Sequence, residues 1–444
     1  MTPTISWQAP GKLVLIGEYG VLDGAGAIVA AVQHGVRCEH TPGPLGWTTP
    51  GDDRFVRAAL AGLPADAGHF TFSDWNPVDL GGEKPGFGGS AAATVVAVLA
   101  AGRRPVDAYA IHHEVQGGGS GADIFGSLNG GVRRFPDGAP APPPCFSAVW
   151  SGHSAQTGPR VRQYLAWKGR KRFVRDSRAL VDGFNASPVA ATREAWRLLR
   201  EMARAAGIAY ETPEHVQIAA LAEQFGGAGK PSGAGGGDIA VAVFPDADRQ
   251  AAFEARCAPL GLTVIPCPVA GPAGLVAIHG AHVDLVPFTP ERLILALTDR
   301  AALARSIDAT VPESWPQPEY AAVMRILADR WSRDASESKW AWLIVQRTAT
   351  GRELVGEIGG KVGPSWLGDL EFGYAIVPEK RRFGLCKEAA TLFLAWARAE
   401  PGVKHFVAEC LEQNVASRAV LRGAGLREYA VRMDGPNLVL RWRD

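Results

Sequence analysis

Lys12, Ser90 and Asp123 each stand beside a glycine-rich segment, and together they could handle an anion. In KPGFGGSAAA at 84–93, consecutive glycines let the backbone curl so that several amides face one phosphate. A following helix adds its positive end and free N–H groups. Ser90 falls at that helix start, where its hydroxyl either caps the helix or ligates Mg²⁺. Asp123 follows a second loop in QGGGSGADIFGSLNGG at 116–131. A carboxylate there can accept the proton of an acceptor hydroxyl, orient that hydroxyl toward a γ-phosphate, or cap the adjoining helix. Lys12, in APGKLVLIGEYGVL at 9–22, precedes an apolar run. Its ammonium costs desolvation unless it meets an anion, either Asp123, a phosphoryl group in transfer or an acidic acceptor. Glu18 and Tyr19 would shape the substrate or nucleotide side. A third loop, GGAGKPSGAGGGD at 226–238, offers Lys230 and Ser232 as anion partners, and Asp238 reads as structural.

A second set lies near the C-terminus. PEKRRFGLCKEA at 378–389 joins a strand to a helix, so its amides and the helix dipole can hold a pyrophosphate. The preceding LEFGYAIV can present open backbone groups to an extended pantetheine, and Glu371 within it is a candidate general base. Asn414 and Ser417 stand at a further helix start, where Asn414 reads most simply as an N-cap. Tyr429 is a remote candidate for a general acid.

The elements that must position these groups follow from hydrophobic periodicity. Residues 12–16 and 27–32 read as buried strands, and a helix runs from Ser90. A second helix ends near Gln116, and ADIFGSLNGGVRRF reads as short helix, turn and strand. Helices fill much of 173–226 before the strand DIAVAVF. The Pro/Gly-rich stretch 266–274 is expected to be an inter-domain linker. Beyond it, strands and helices restart as an α+β domain with no internal repeat of the first part. The expected organisation is an α/β (α+β) two-domain chain divided as 1–273 and 274–444.

Bulk composition agrees with that division. A chain of 444 residues suits two or three domains, and 47% apolar content is ordinary for a globular protein. The net charge of +1 and the lone basic patch KGRKR at 168–172 point away from nucleic-acid binding. Six scattered cysteines form no CxxC pair and read as reduced thiols, which suits the cytoplasm. The apolar run near 90–101 is too short for a membrane span, and no signal peptide is expected.

In order along the chain, APGKLVLIGEYGVL, Pro85 through Ala92 and KPSGAGGGD resemble the three motifs of the GHMP kinase superfamily. Phe87 and Gly89 depart from the common second motif, and Ser90 is retained. Within that superfamily the likeness is to bacterial-type phosphomevalonate kinases, through QGGGSGADIFGSLNGG, SGHSAQTG at 151–158 and AEQFGGAGKPSGAGGGD. The resemblance implies a two-lobed fold and phosphoryl transfer from ATP, with 5-phosphomevalonate as the first-choice acceptor. By it, Lys12 and Asp123 are the catalytic pair, and Gly86, Gly88, Gly89, Ser90 and Ala91 bind ATP phosphates with Ser90 near Mg²⁺. It places Ser120 and Gly121 at the reacting centre, and Ser154, Thr157, Lys230 and Ser232 near the acceptor. Arg133, Arg134, Lys168, Arg170, Lys171 and Arg172 are candidate cations for a second phosphate.

Residues from about 275 onward resemble the GNAT acetyltransferases, through HVDLVPFTPERL, VPESWP, GYAIVPEKRRFG and NVASRAVLRGAGL. This implies a GNAT acyltransferase fold with a mixed central sheet and acetyl-CoA as cofactor. Arg381, Arg382, Gly384 and Cys386 would contact the CoA pyrophosphate, and Asn414 the cofactor or acceptor side. Arg382 and Cys386 replace a glycine and a small residue of the family loop. They are expected to fit only where the backbone avoids left-handed angles. The leading expectation is a bifunctional kinase and acetyltransferase acting on small molecules. The alternatives are a kinase for another hydroxylated or aminated metabolite with a structural or regulatory C-terminal domain, and a non-catalytic ligand sensor.

Overall fold

The computed structural model describes residues 3–444. These divide into two compact units. One comprises 7–38 and 45–274, the other 275–444 together with 3–6 and 39–44. The second unit thus draws two short stretches from the N-terminal region.

In the first unit, the strands Thr4–Ile16, Ala27–Thr41, Ala67–Trp75 and Gly43–Thr48 are neighbours in that order. Val132–Phe135 pairs antiparallel with Ala27–Thr41. A separate four-stranded sheet runs Ala228–Pro231, Ile239–Phe244, Cys145–Trp150, Thr263–Ile265. IAVAVF at 239–244 is buried at every position, which explains its unbroken apolar run. The helices Gly89–Ala100, Asp107–Gln116 and Ala122–Asn129 carry the first two glycine loops at their ends. Gly89–Ala100 buries Ala91, Ala92, Val95 and Val96, and those small side chains let it lie close to its neighbours.

The stretch 266–274 is not a free linker. Ala270 N–H donates to Ala31 O at 2.9 Å, Gly131 N–H to Ala270 O at 2.8 Å, and Ala273 N–H to Ser127 O at 3.0 Å. Proline removes some donors, and the amides of Ala270 and Ala273 find carbonyls within the first unit.

The second unit is built on a mixed sheet. Its order is Arg427–Asp434, Asn437–Arg443, His405–Leu411, Asp369–Ile376, Gly351–Gly360, Ala341–Thr348, Val283–Pro287, Gly274–His279. All neighbouring strands there are antiparallel except one pair: Asp369–Ile376 runs parallel to His405–Leu411. That pairing holds only at Asp369, Leu370 and Glu371, opposite His405, Phe406 and Val407. Further along, each strand keeps its other neighbour, so the sheet opens between them. The Leu385–Ala397 helix buries Ala389, Phe393 and Ala397 in the unit's core with Phe372, Phe406 and Trp342. Among the described residues, no helix is long and apolar enough to cross a membrane.

Candidate active sites

The first site forms around Lys12. Its ammonium lies 3.3 Å from Asp123 Oδ1; the lysine side chain is 11% exposed and the aspartate 38%. The glycines make room for this. A Cβ on Gly88 would lie 3.2 Å from Lys12 Cε, and one on Gly126 would lie 3.2 Å from Lys12 Cβ. Lys12 N–H also donates to Phe87 O at 2.8 Å, which joins its strand to the glycine loop at 84–90. Both capping alternatives fall away. The N-caps of the Gly89–Ala100 and Ala122–Asn129 helices are Gly88 and Gly121, in left-handed conformation, and neither helix has a side-chain cap. The Asp123 carboxylate is therefore available to Lys12 and to a ligand.

Ser90 Oγ lies 3.4 Å from His112 Nε2, a residue the sequence reading passed over. His112 is buried and stacks on Phe55. Burial lowers its pKa, while the Asp123 charge acts in the opposite direction. A pocket of about 320 Å³ is lined by Tyr109, His112, Gln116, Ser120, Gly121 and Asp123 among others. Ser120 Oγ accepts from Ala122 N–H at 3.2 Å and so shapes the loop locally.

Asp238 comes closer to the phosphate loop than expected. A Cβ on Gly86 would lie 2.6 Å from its carboxyl carbon, so only glycine fits there. Ala155 N–H donates to Asp238 Oδ1 at 3.0 Å. Burial raises the pKa of this carboxyl, against the opposing field of Lys12, Arg160 and His153. Ser154 joins the same junction: its hydroxyl donates to Lys84 O at 3.0 Å and accepts from Lys84 N–H at 3.2 Å. Thr157 is exposed at the start of the Thr157–Ala166 helix.

Lys230 and Ser232 are occupied by the protein itself. Lys230 is fully buried, paired with Glu18, and donates to Pro231 O at 3.2 Å. Ser232 Oγ accepts from Val14 N–H at 3.0 Å and donates to Val14 O at 3.1 Å. Ser232 fastens the third loop to the first strand and Lys230 fastens it to the stretch just after, since an ammonium without solvent needs a carboxylate partner. Among the candidate cations, Arg133 binds the Gly130 and Gly138 carbonyls, and Arg134 is paired with Asp137 and Asp182. Arg170 is paired with Asp23, and Arg172 with Asp176.

Mg²⁺ in such chemistry takes few protein ligands and relies on substrate phosphates and water. The Ser90 hydroxyl and the Asp123 carboxylate, each next to His112 or acting on its charge, fit that demand. Among the described residues there is no closed group of three or more His, Cys, Asp or Glu that would hold a metal alone.

The second site lies where the parallel strands part. The Leu385–Ala397 helix starts there after Gly384, at φ 78°. Its first amides, with the dipole, suit a pyrophosphate. Arg382 sits at φ 71°, so the expectation that this arginine avoids the left-handed region is not met; it carries the strain the family's glycine would escape. Cys386 is helical, and burial pushes its thiol up to about 12. Arg381 is exposed but already bonded: Nε donates to Ile376 O at 3.1 Å and Nη2 to Gln317 Oε1 at 2.8 Å. Asn414 Oδ1 accepts from Ser417 N–H at 3.0 Å, which is the N-cap reading. Glu371 occupies the last paired position of the diverging strands, and its carboxylate is engaged by Lys361. Tyr429 lies half-exposed under the Arg441 guanidinium.

Two residues missed in the sequence belong to this site. Tyr374 lies past the last parallel pair, with its hydroxyl 3.0 Å from Ser417 Oγ, and burial raises its pKa. Glu357 is buried on the adjacent strand and accepts from Trp315 Nε1 at 2.7 Å. Desolvation raises its pKa to about 7. The only available signal was a glutamate in the apolar run ELVGEIGG.

Comparison with known proteins assigns the two halves separately. Residues 285–427 match the acetyltransferase (GNAT) domain, and residues 189–260 match the C-terminal domain of GHMP kinases. A phosphomevalonate kinase of Streptomyces sp. (strain CL190) is 28% identical over 336 residues, covering 54% of this chain and 90% of that protein. A mevalonate kinase of Archaeoglobus fulgidus is 27% identical over 281 residues, covering 55% and 94%. A crystal structure of a Listeria innocua protein has the fold of the first part, with a TM-score of 0.54 at 23% identity, covering 62% of this chain and 99% of that one. The chain joins a GHMP-kinase-like domain to a GNAT acetyltransferase domain.

Proposed function

We propose that residues 1–273 transfer the γ-phosphoryl group of ATP to 5-phosphomevalonate, giving the diphosphate and ADP, and that residues 274–444 acetylate an amine from acetyl-CoA. The observation that carries the kinase reading is the Lys12–Asp123 pair held at 3.3 Å by glycines of the phosphate loop and its neighbouring helix. In this reading the amides from Gly86 to Ala91 hold the ATP phosphates. Ser90, with the Asp123 carboxylate, would hold Mg²⁺, which would supply positive charge against the phosphates. An acceptor phosphate is already anionic near neutral pH. Asp123 then positions the acceptor, and Lys12 offsets the charge that develops on the transferring group. The attacking oxygen bonds to the γ-phosphorus as the bond to the β-bridging oxygen breaks.

A second reading, an unphosphorylated alcohol as acceptor, draws on a specific observation. Four of the six cations proposed for a second phosphate are already held by carbonyls or carboxylates. Asp123 would then remove the hydroxyl proton. ATP consumption with mevalonate, 5-phosphomevalonate, homoserine and aminated sugars, using the full chain and Asp123→Asn, separates the readings. For an alcohol the substitution should cost about 10²–10⁴-fold in kcat, the usual worth of a positioned base. For a phosphate nucleophile the loss should be smaller. Turnover with none of these acceptors counts against both.

A further inference from the structure

We propose that the basic surface of the Thr157–Ala166 and Arg170–Gly183 helices draws a multiply charged, phosphorylated acceptor toward the first site; this rests on the kinase reading above. Charge is spread unevenly along the chain. Residues 160–178 hold eight basic side chains and one acidic, a net of +7. The other 425 residues therefore carry −6, since the whole chain is +1. A cluster of one sign sets up a potential that reaches beyond contact and raises the local concentration of opposite charge. Local pairing does not cancel this cluster. Arg172 and Arg175 share one carboxylate, Asp176, and Arg170 takes Asp23. Arg162, Lys168 and Lys171 are exposed and make no ion pair among the described residues. Placement also counts against an idle solvated face. Arg170, Lys171 and Arg172 fill the first turn of their helix, and no acid stands there. A helix N-terminus is itself partly positive, so cations there cost stability.

This surface is continuous with the site, and both helices belong to the first unit. Asp23 ends the short helix Gly20–Asp23, which follows Glu18 and Tyr19. Tyr164 donates its hydroxyl to Asp23 at 2.8 Å and lies under the Arg170 guanidinium. Arg160 forms the inner end. It donates to the carbonyls of Gln156, Ala209 and Gly236 and has no carboxylate partner among the described residues. A Cβ on Gly236 would collide with its Nη2, so the third glycine loop fits directly against this guanidinium. Two residues on, Asp238 meets Gly86, and its carboxyl feels the charges of both Arg160 and Lys12. The basic track thus runs from open surface to the third loop. The nucleotide phosphates have the amides from Gly86 to Ala91, so the charge this track serves is the acceptor's. Cations already held by carbonyls or carboxylates need not touch that acceptor. Their field acts on capture, before contact, and leaves the chemical step alone.

The test uses the full chain as wild type and as the triple variant Lys168→Gln, Lys171→Gln, Arg172→Gln. A control, Arg305→Gln, Arg325→Gln, Lys404→Gln, loses the same charge from exposed positions of the second unit. Both kcat and kcat/KM are measured for 5-phosphomevalonate and mevalonate at saturating ATP. Ionic strength runs from about 0.01 to about 0.3 M, which shortens the screening length from about 30 Å to below about 10 Å. At low salt the patch variant should lose about 10-fold or more in kcat/KM for 5-phosphomevalonate, keep kcat within about twofold, and show a flatter salt dependence. The loss should be smaller for mevalonate, which carries one charge, and should vanish at high salt. The control should stay within about twofold throughout. A patch variant that matches wild type at low salt overturns the proposal, as does a loss that persists at high salt or one that the control shares. Retention of wild type but not of the patch variant on immobilised heparin, with equal kcat/KM in both, would assign the surface to a polyanionic partner and overturn it too. Turnover of unphosphorylated acceptors alone defeats the proposal and leaves a kinase. Turnover of no acceptor removes the kinase reading itself, and this proposal with it.

Discussion

Each unit buries a glutamate, and the two are held in opposite ways. In the first, Lys230 and Glu18 are both withdrawn from solvent and paired, and Lys12 meets Asp123. In the second, Glu357 is withdrawn with only an indole for company. A buried ion pair stays ionised and fastens the segments it joins, here the third glycine loop to the stretch after the first strand. A buried acid without a counter-ion gives up its charge near neutrality and becomes able to exchange a proton. Depth of burial alone does not separate a structural group from a chemical one; the partner does.

Breaking the paired side should have the largest effect. Lys230→Met leaves Glu18 buried without its partner, and should destabilise the first unit by about 3–5 kcal/mol. Denaturant unfolding of the full chain, with acetyl-CoA binding as an independent readout of the second unit, would measure it. Adding Glu18→Gln should recover part of the loss, because the stranded charge is gone. A fully additive double mutant would mean that the pair is not a unit.

The unpaired side predicts a pH effect of somewhat smaller size. The folded pKa of Glu357, about 7, lies above its ordinary 4.5. Its favourable share of stability is therefore complete below pH 4.5 and lost as pH rises through 7. Glu357→Gln removes that loss and keeps an oxygen for Trp315. Variant and wild type should differ little at pH 4.5, with the variant more stable by on the order of 3 kcal/mol by pH 8. Equal stability of the two at both pH values would place Glu357 in an ordinary solvated setting.

The smallest effect concerns the loop before the Leu385–Ala397 helix. Arg382 holds a left-handed angle that costs a non-glycine residue roughly 1–2 kcal/mol. Arg382→Gly removes that strain but adds freedom to the unfolded chain, so the net gain should be about 0.5–1 kcal/mol, read as a modest rise in Tm. A fall in Tm would mean that the arginine makes contacts worth more than the strain.

Some of this was readable from local sequence. The glycines within 86–89 and 117–121 mark places where the backbone must curl, and the helices beginning at Gly89 and Ala122 follow them. The helix ending at Gln116 and the N-cap at Asn414 were equally local, since caps and periodicity act within a few residues. Lys12 drew attention because an ammonium beside an apolar run needs an anion nearby. The Pro/Gly stretch 266–274 misled, because composition marks a break in regular structure without showing whether its amides find partners.

Composition and motif order therefore set the two-part architecture and the glycine loops, which depend on neighbours along the chain or on residue type, while the Lys12–Asp123 pair was implied by resemblance and made by packing. Only tertiary structure decided which charged groups were free to act. Lys230 meets Glu18 across 212 residues, Ser232 meets Val14 across 218, and Trp315 meets Glu357 across 42. A side chain's protonation and availability follow from solvent access and from the partner opposite it. Both are set when distant segments pack together, and so neither is written at the residue itself.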